Sequence, residues 1–278
     1  EAVVGGTADK FIFTDGNVNG GNIINGGAVD NIATTWVANT DVFEIRNAAT
    51  ATTGDLAGLS NLGIIAGSNE AATAQTLVLQ LNDTVVDSMV DSYHTSTATQ
   101  QEALTVRMNS AADVTPVASA ILDFDGSQLT ARSIVNITLD AGAATNAAGD
   151  SIKLGMGMVT VAAAAPAQFD TVGNFAGANA DYLVLSAAQF GLTALAGTTV
   201  TANGGGVIFG ALGTGAVTDR IYVLENTTSV AGAGAFDTQV YFDADGSGAG
   251  AAVLIGVLVD NAAAVIAGAA NTGLTIVA

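Results

Sequence analysis

Short runs in which apolar and polar residues alternate, each ended by a cluster of Gly, Asn, Asp or Thr, recur along the whole chain. A period of two is the side-chain period of a β-strand and the clusters are turn chemistry, so the pattern restricts the fold to short strands joined by tight turns. Lys10-Phe11-Ile12-Phe13, Asp41 to Arg46, Thr76 to Leu81, Ser133 to Leu139 and Met158 to Val161 read as strands. So do Tyr182 to Leu185, Arg220 to Leu224, Gln239 to Phe242 and Ala252 to Val259. Helical stretches are few. Leu56, Leu59 and Leu62, three apart, suggest a short helix over Leu56 to Ile65, and Gln100 to Met108 is open between helix and strand. Ser186 to Phe190 reads as one helical turn with Ser186 as its N-cap.

The apolar residues are of an unusual kind. Half of the 278 residues are hydrophobic but only 5% are aromatic, so a sizeable core must be built from small and β-branched side chains. Stacked strand coils and extended sandwiches have such cores. With 34 glycines and two prolines, Pro116 and Pro166, many tight turns are expected. The fold class is therefore mainly β: an irregular β-solenoid or β-roll, or a β-sandwich, with few short helices. No strict repeat is visible, only the succession of strand, turn and strand, which leaves solenoid and sandwich open. The tract Ala162-Ala163-Ala164-Ala165-Pro166 suggests a junction between a strand-rich part, 1–165, and a second part, 166–278.

Six Lys and Arg stand against 25 Asp and Glu, a net charge of −19. Such a surface repels nucleic-acid phosphates and anionic membranes and attracts divalent cations. Asp, the short loop-compatible calcium ligand, outnumbers Glu, which points to Ca²⁺ as the associated ion. Without cysteine there is neither a disulfide framework nor a thiolate metal site. The first residues form no secretory signal peptide, and the longest apolar candidate, Ala251 to Val259, is too short to span a bilayer.

Three stretches carry alternating oxygen ligands with a glycine for the bend. Asp15-Gly16-Asn17-Val18-Asn19-Gly20 opens like a calcium loop. Asp123-Phe124-Asp125-Gly126-Ser127 and Asp243-Ala244-Asp245-Gly246-Ser247 both read D-x-D-G-S, and all three stretches are expected as loops. Position twelve, where a calcium loop places a bidentate Glu, holds Gly26, Ile134 and Leu254 instead, so any site needs other ligands to complete it. Tight Asx-type turns are the competing explanation. Asp9, in Gly5-Gly6-Thr7-Ala8-Asp9-Lys10-Phe11-Ile12-Phe13, is a fourth candidate, in a shortened glycine-rich calcium repeat.

Catalytic motifs are missing from the sequence. His94 is the sole histidine and sits in a polar segment without a G-x-S-x-G elbow, and Gly204-Gly205-Gly206 lacks the lysine of a phosphate loop. A protein that is not an enzyme is expected. Asn136-Ile137-Thr138 and Asn226-Thr227-Thr228 match the short glycosylation pattern, which arises easily by chance.

A resemblance covers residues 166–278. Phe169-Asp170-Thr171-Val172-Gly173-Asn174-Phe175, Asn179-Ala180-Asp181-Tyr182-Leu183-Val184-Leu185 and Phe190-Gly191-Leu192 follow one another. Thr218 to Val223 comes next, then Val240-Tyr241-Phe242-Asp243-Ala244-Asp245-Gly246-Ser247-Gly248 with an apolar run behind it. In order and spacing these resemble the C-terminal region of RTX-type bacterial proteins exported by type I secretion. The apolar end, Leu274 to Ala278, is similar to their export signals. Tandem G-G-x-G-x-D repeats are nearly absent, and residues 1–165 look more like the Thr/Ala/Asn-rich bodies of bacterial surface-layer proteins. These resemblances imply an extracellular, cell-surface structural protein, a self-assembling surface-layer or related subunit associated with calcium. Its implied partners are copies of itself in an oligomer or lattice, the type I secretion machinery and cell-surface polysaccharide, with no nucleic acid and no transmembrane span. An adhesin, or the secretion and folding module of a larger extracellular enzyme, is the alternative.

Overall fold

The computed structural model describes residues 9–14, 17–27, 40–71, 73, 75–90, 103–108, 120–131, 133–139, 149–163, 182–200, 202–210, 220–226, 237–245, 252–258 and 274–278. The described chain winds as a coil. A first coil contains β1 (Lys10–Thr14) and β2 (Ile24–Asn25), and a second β3 (Val42–Arg46), β4 (Ala49–Ala51) and β5 (Leu59–Ser60). The third is β6 (Ile64–Ser68) and β7 (Gln75–Asn82), followed by helix α1 (Asp83–Met89). Next come β8 (Leu104–Met108) with β9 (Ala120–Gln128), and β10 (Ile134–Leu139) with β11 (Ser151–Lys153). β12 (Met158–Ala163), β13 (Tyr182–Ser186) and the helical turn α2 (Ala187–Phe190) follow.

Successive strands alternate between two sheets, and each lies parallel to its counterpart one coil away. β1, β3, β6, β8, β10 and β12 belong to a ten-stranded sheet, and β4, β7, β9, β11 and β13 to a seven-stranded one. That alternation makes the fold a β-solenoid, since a sandwich would pair neighbouring strands antiparallel within one sheet. β2 and β5 form a short third side.

The far end is closed differently. β14 (Thr198–Thr199), β15 (Val207–Phe209), β16 (Ile221–Asn226) and β17 (Asp237–Phe242) precede β18 (Val253–Leu258) and β19 (Leu274–Val277). β18 and β19 complete one more parallel coil against β12 and β13. β17 lies antiparallel to both β16 and β18, and β14 antiparallel to β19. Both sheets therefore continue past Pro166, through the β12–β18 and β11–β13 pairs.

Register explains the core. Phe11, Phe43, Ile65, Val106 and Ile137 share one position across the ten-stranded sheet. Ala51, Leu79, Phe124, Ile152, Leu183 and Leu274 share one across the other. The second column is buried throughout, and the inward residues of both sheets join one hydrophobic cluster. At Gly67 of β6 a Cβ would lie 2.6 Å from Met108 Sδ and 2.9 Å from Leu77 Cδ2 of the facing sheet, so the two layers touch without room for a methyl group. Among the described residues no helix is long and apolar enough to cross a membrane.

Two expectations need correction and one open alternative is settled. Leu56 to Ile65 is not a helix: turn residues lead into β5, Asn61 adopts φ +53°, and β6 begins at Ile64. The N–H groups of Asn61 and Leu62 donate to the C=O groups of Ser88 and Met89 in α1 (3.0 and 2.8 Å), so tertiary partners replace an i−4 ladder. The three leucines are buried all the same. The ambiguous segment before Met108 is strand β8, and residues 100–102 lie outside the described set. Asp123 to Ser127 is not a loop but part of β9. The Ser186 cap is as expected: its Oγ accepts the Gln189 N–H at 3.3 Å.

Candidate functional site

In β9 the period of two sends Leu122 and Phe124 inward and Asp123, Asp125 and Ser127 to the outer face. Asp123 is exposed, opposite Val78 and Ser151 in register, and Asp125 lies opposite Gln80 and Lys153. Asp125 is well occupied. Its Oδ1 accepts the Ser127 N–H (2.9 Å) and the Ser127 hydroxyl (2.5 Å), and its Oδ2 lies 3.2 Å from Lys153 Nζ in the next coil. Burial works to raise the Asp125 pKa, but the hydrogen bonds from Ser127 and Lys153 and the lysine charge together hold it below the usual carboxylate range. Any cation at Asp125 would have to compete with Lys153.

A depressed folded-state pKa adds stability above the unfolded-state value and loses it as pH falls through the folded one. Asp125→Asn is therefore expected to lower the urea midpoint at neutral pH, with the gap to wild type closing in acid. Midpoints of both proteins across that range check it. A gap independent of pH would mean that the carboxylate charge is not what stabilises the site.

The third motif begins at the end of β17. The Asp243 side chain is buried, its N–H donates to Arg220 C=O (2.8 Å), and its Oδ1 accepts the Asp245 N–H (3.2 Å). Asp245 is exposed, and Gly246 and Ser247 lie outside the described residues. This is an Asx turn leaving a strand.

The first motif is also a turn. Asp15 lies outside the described residues. Asn17 Nδ2 donates to Thr14 C=O (2.7 Å), Asn19 Oδ1 accepts the Gly21 N–H (3.0 Å), and Asn19 Nδ2 and Asn22 Nδ2 both donate to Asn17 C=O (3.3 and 3.1 Å). Asp9 contributes backbone to the ladder: its N–H donates to Asp41 Oδ1 (2.7 Å) and its C=O accepts the Val42 N–H (2.8 Å). The structure does not bring these motifs together. Among the described residues no group of three or more His, Asp and Glu side chains converges as a metal cage, and His94 lies outside them.

Carboxylates outside the three motifs also join strands and turns. Asp150, buried just ahead of β11, accepts the Leu122 N–H of β9 at 2.6 Å, and Asp41, just ahead of β3, reaches Asp9 ahead of β1. Asp83, in the first turn of α1, accepts from Thr130 N–H (2.9 Å), Thr130 Oγ1 (2.7 Å) and Ser133 Oγ (2.7 Å). Glu44 of β3 is fully buried on the outer face of its sheet, where Arg46 Nε (2.6 Å), Ser68 Oγ (2.9 Å) and Lys10 Nζ (2.7 Å) surround it. Asp directly before an alternating run is the signal that marks Asp41 and Asp150, and Asp9 shares it.

Chemically, these groups fasten one coil to the next, each acid meeting N–H, hydroxyl or cationic donors of a neighbouring strand or turn. Compared with family models, with curated proteins and with solved structures, the chain matches none of them.

Proposed function

We propose that the chain is an extracellular structural protein, a surface-layer or related self-assembling subunit exported by type I secretion and associated with calcium. The observation that carries this reading is the use of the buried acids: Asp150 and Glu44 hold coil to coil in a continuous stack. A chain whose buried polar groups are committed to rigidity fits a load-bearing role. The RTX-like order of segments in 166–278 supports export, and the Thr/Ala/Asn-rich first part supports a surface-layer setting.

Calcium enters at the acids that remain exposed. At −19, neighbouring copies repel one another, and ions held near Asp123 and Asp245 would reduce that repulsion. Oxygen ligands from these acids, backbone carbonyls and water suit a hard cation. Removal of calcium with EDTA is expected to lower the melting temperature or to dissolve assemblies seen by negative-stain microscopy. Identical melts and identical particles in Ca²⁺ and in EDTA would overturn the calcium reading.

One observation favours the second reading, an adhesin or the secretion and folding module of a larger enzyme. β14 and β17 bring antiparallel pairing to this end of the coil, as a terminal cap on a repeat stack does. The length of the natural gene product separates the two.

A further inference from the structure

Asparagine followed by glycine is the pair in which the main chain attacks its own side chain with least hindrance, because glycine presents no Cβ. The chain holds three such pairs, Asn19-Gly20, Asn25-Gly26 and Asn203-Gly204, and all three asparagines are exposed. In each, the side-chain oxygen accepts a backbone N–H. Asn19 Oδ1 takes that of Gly21 (3.0 Å), Asn25 Oδ1 that of Gly27 (2.9 Å), and Asn203 Oδ1 that of Phe209 (2.7 Å). A donor at this oxygen stabilises the negative charge that forms there when the amide carbon is attacked. The pairs therefore differ at the attacking nitrogen and not at the carbon.

The Gly26 N–H donates to Ser60 C=O (3.1 Å) beside the β2–β5 pair, and the Gly204 N–H to Val207 C=O (3.0 Å). Each of those hydrogen bonds must break before its nitrogen can turn to the side chain. Gly20 is exposed, and its N–H donates to no acceptor among the described residues. The turn closes around it instead, through the Asn22 N–H to Asn19 C=O (2.9 Å). Asn19 Nδ2, the group that would leave, is held by a long bond to Asn17 C=O (3.3 Å).

We propose that Asn19 is a site of spontaneous deamidation, singled out from the other two pairs by the free amide of its turn. The Gly20 nitrogen gives its proton to solvent base and attacks Asn19 Cγ. The Cγ–Nδ2 bond breaks, ammonia leaves with a proton from solvent, and a cyclic imide closes. Water, the co-reactant, then opens the imide at either carbonyl and leaves aspartate or isoaspartate at position 19. Nothing is oxidised or reduced. Both products add a negative charge to the −19 of the chain. The isoaspartyl product also carries the side-chain methylene into the main chain. Gly20 has little room for that shift, since a Cβ there would already lie 2.7 Å from the Gly54 C=O oxygen in the second coil. Modification therefore loosens the first coil from the second.

Incubation of the full chain at mildly alkaline pH, with peptide mapping and fragmentation at intervals, tests it. Asn19 is expected to deamidate about tenfold faster than Asn25 or Asn203, the effect of one backbone hydrogen bond, with isoaspartate among the products. In denaturing urea the three sites should react at similar rates, because the hydrogen bonds that separate them are gone. Gly20→Ala would set its methyl group against Gly54, so Asn19→Gln is the better variant. Its longer side chain closes the ring far more slowly. Isoelectric focusing of folded wild type should show an early acidic band that Asn19→Gln lacks. Equal rates at the three pairs in the folded protein, or a faster reaction at Asn25 or Asn203, overturn the proposal. An early acidic band that persists in Asn19→Gln overturns it as well. A preference for Asn19 that survives in urea would assign the reaction to the flanking sequence and overturn the part played by the turn.

Discussion

Phe124→Ala is expected to destabilise the protein by about 3–5 kcal/mol and to divide its unfolding into separate steps. Phe124 is fully buried in β9, between Leu79 of β7 and Ile152 of β11 in the same column. Its ring occupies space that Gly126 leaves open: a Cβ there would lie 2.7 Å from Phe124 Cε1. No neighbour is placed to fill the hole, because its column partners are fixed by their own strands, so the cavity cost adds to the lost transfer energy. In a stacked coil each turn draws its support from the turns on either side. Weakening β9 therefore separates the coils before it from the coils after it. Urea denaturation followed by fluorescence and by circular dichroism should give non-coincident or broadened transitions for the variant, with a lower first midpoint. A single coincident transition within about 1 kcal/mol of wild type would show that the column is not what couples the coils.

Strands were legible in the sequence wherever one face is buried and the other polar, as at Lys10 to Phe13 and Ser133 to Leu139. The same rule explains β9. Leu122, Asp123, Phe124 and Asp125 alternate cleanly, but the D-x-D-G-S spelling of a loop ligand set masked the alternation. Leu56, Leu59 and Leu62 have helical spacing, yet they enter the core from a turn and a two-residue strand whose backbone partners lie in β2 and α1. Local spacing cannot reveal such partners. α1 was missed although Asn82 caps it, its Oδ1 accepting the Val85 N–H at 2.9 Å, and Val85, Val86 and Met89 make its buried face.

The sequence leaves solenoid and sandwich open for a separate reason. Phe11, Phe43, Ile65, Val106 and Ile137 stack at unequal sequence intervals, so no period survives for a repeat search to find. The acids divide in a similar way. Asp243 and Asp245 form the turn their spelling suggests, because an Asx turn depends only on its own residues. Asp150 and Glu44 take their importance from strands a coil away, which no local motif records.

Glu44→Ala is expected to cost about 3 kcal/mol, near the lower end for removing one partner from a buried ionic group. Glu44 lies between Ile12 and Ala66 in register, on the outer face of its sheet, and is fully buried there. Its Oε1 accepts from Arg46 Nε and Ser68 Oγ. Among the described residues Oε2 accepts no aligned hydrogen bond and is held by the charge of Lys10. Arg46 keeps a second partner, Glu70 at 2.7 Å, so the variant deprives Ser68 more than Arg46. The arginine pKa is raised, first by the hydrogen bond it donates to Glu44 despite the opposing effect of burial, which fits a cation held by this carboxylate. Glu44→Gln keeps the shape and an acceptor for Ser68 but loses the charge, and its cost should fall between wild type and Ala. Salt separates this arrangement from an ordinary surface pair, because a screened pair loses its effect at molar salt and a buried one keeps most of it. Denaturation of the three proteins at low and at molar salt measures the difference. An alanine variant within about 0.5 kcal/mol of wild type, or a loss that salt abolishes, would make Glu44 a plain surface acid. If the loss persists, the carboxylate pins β1 to β3.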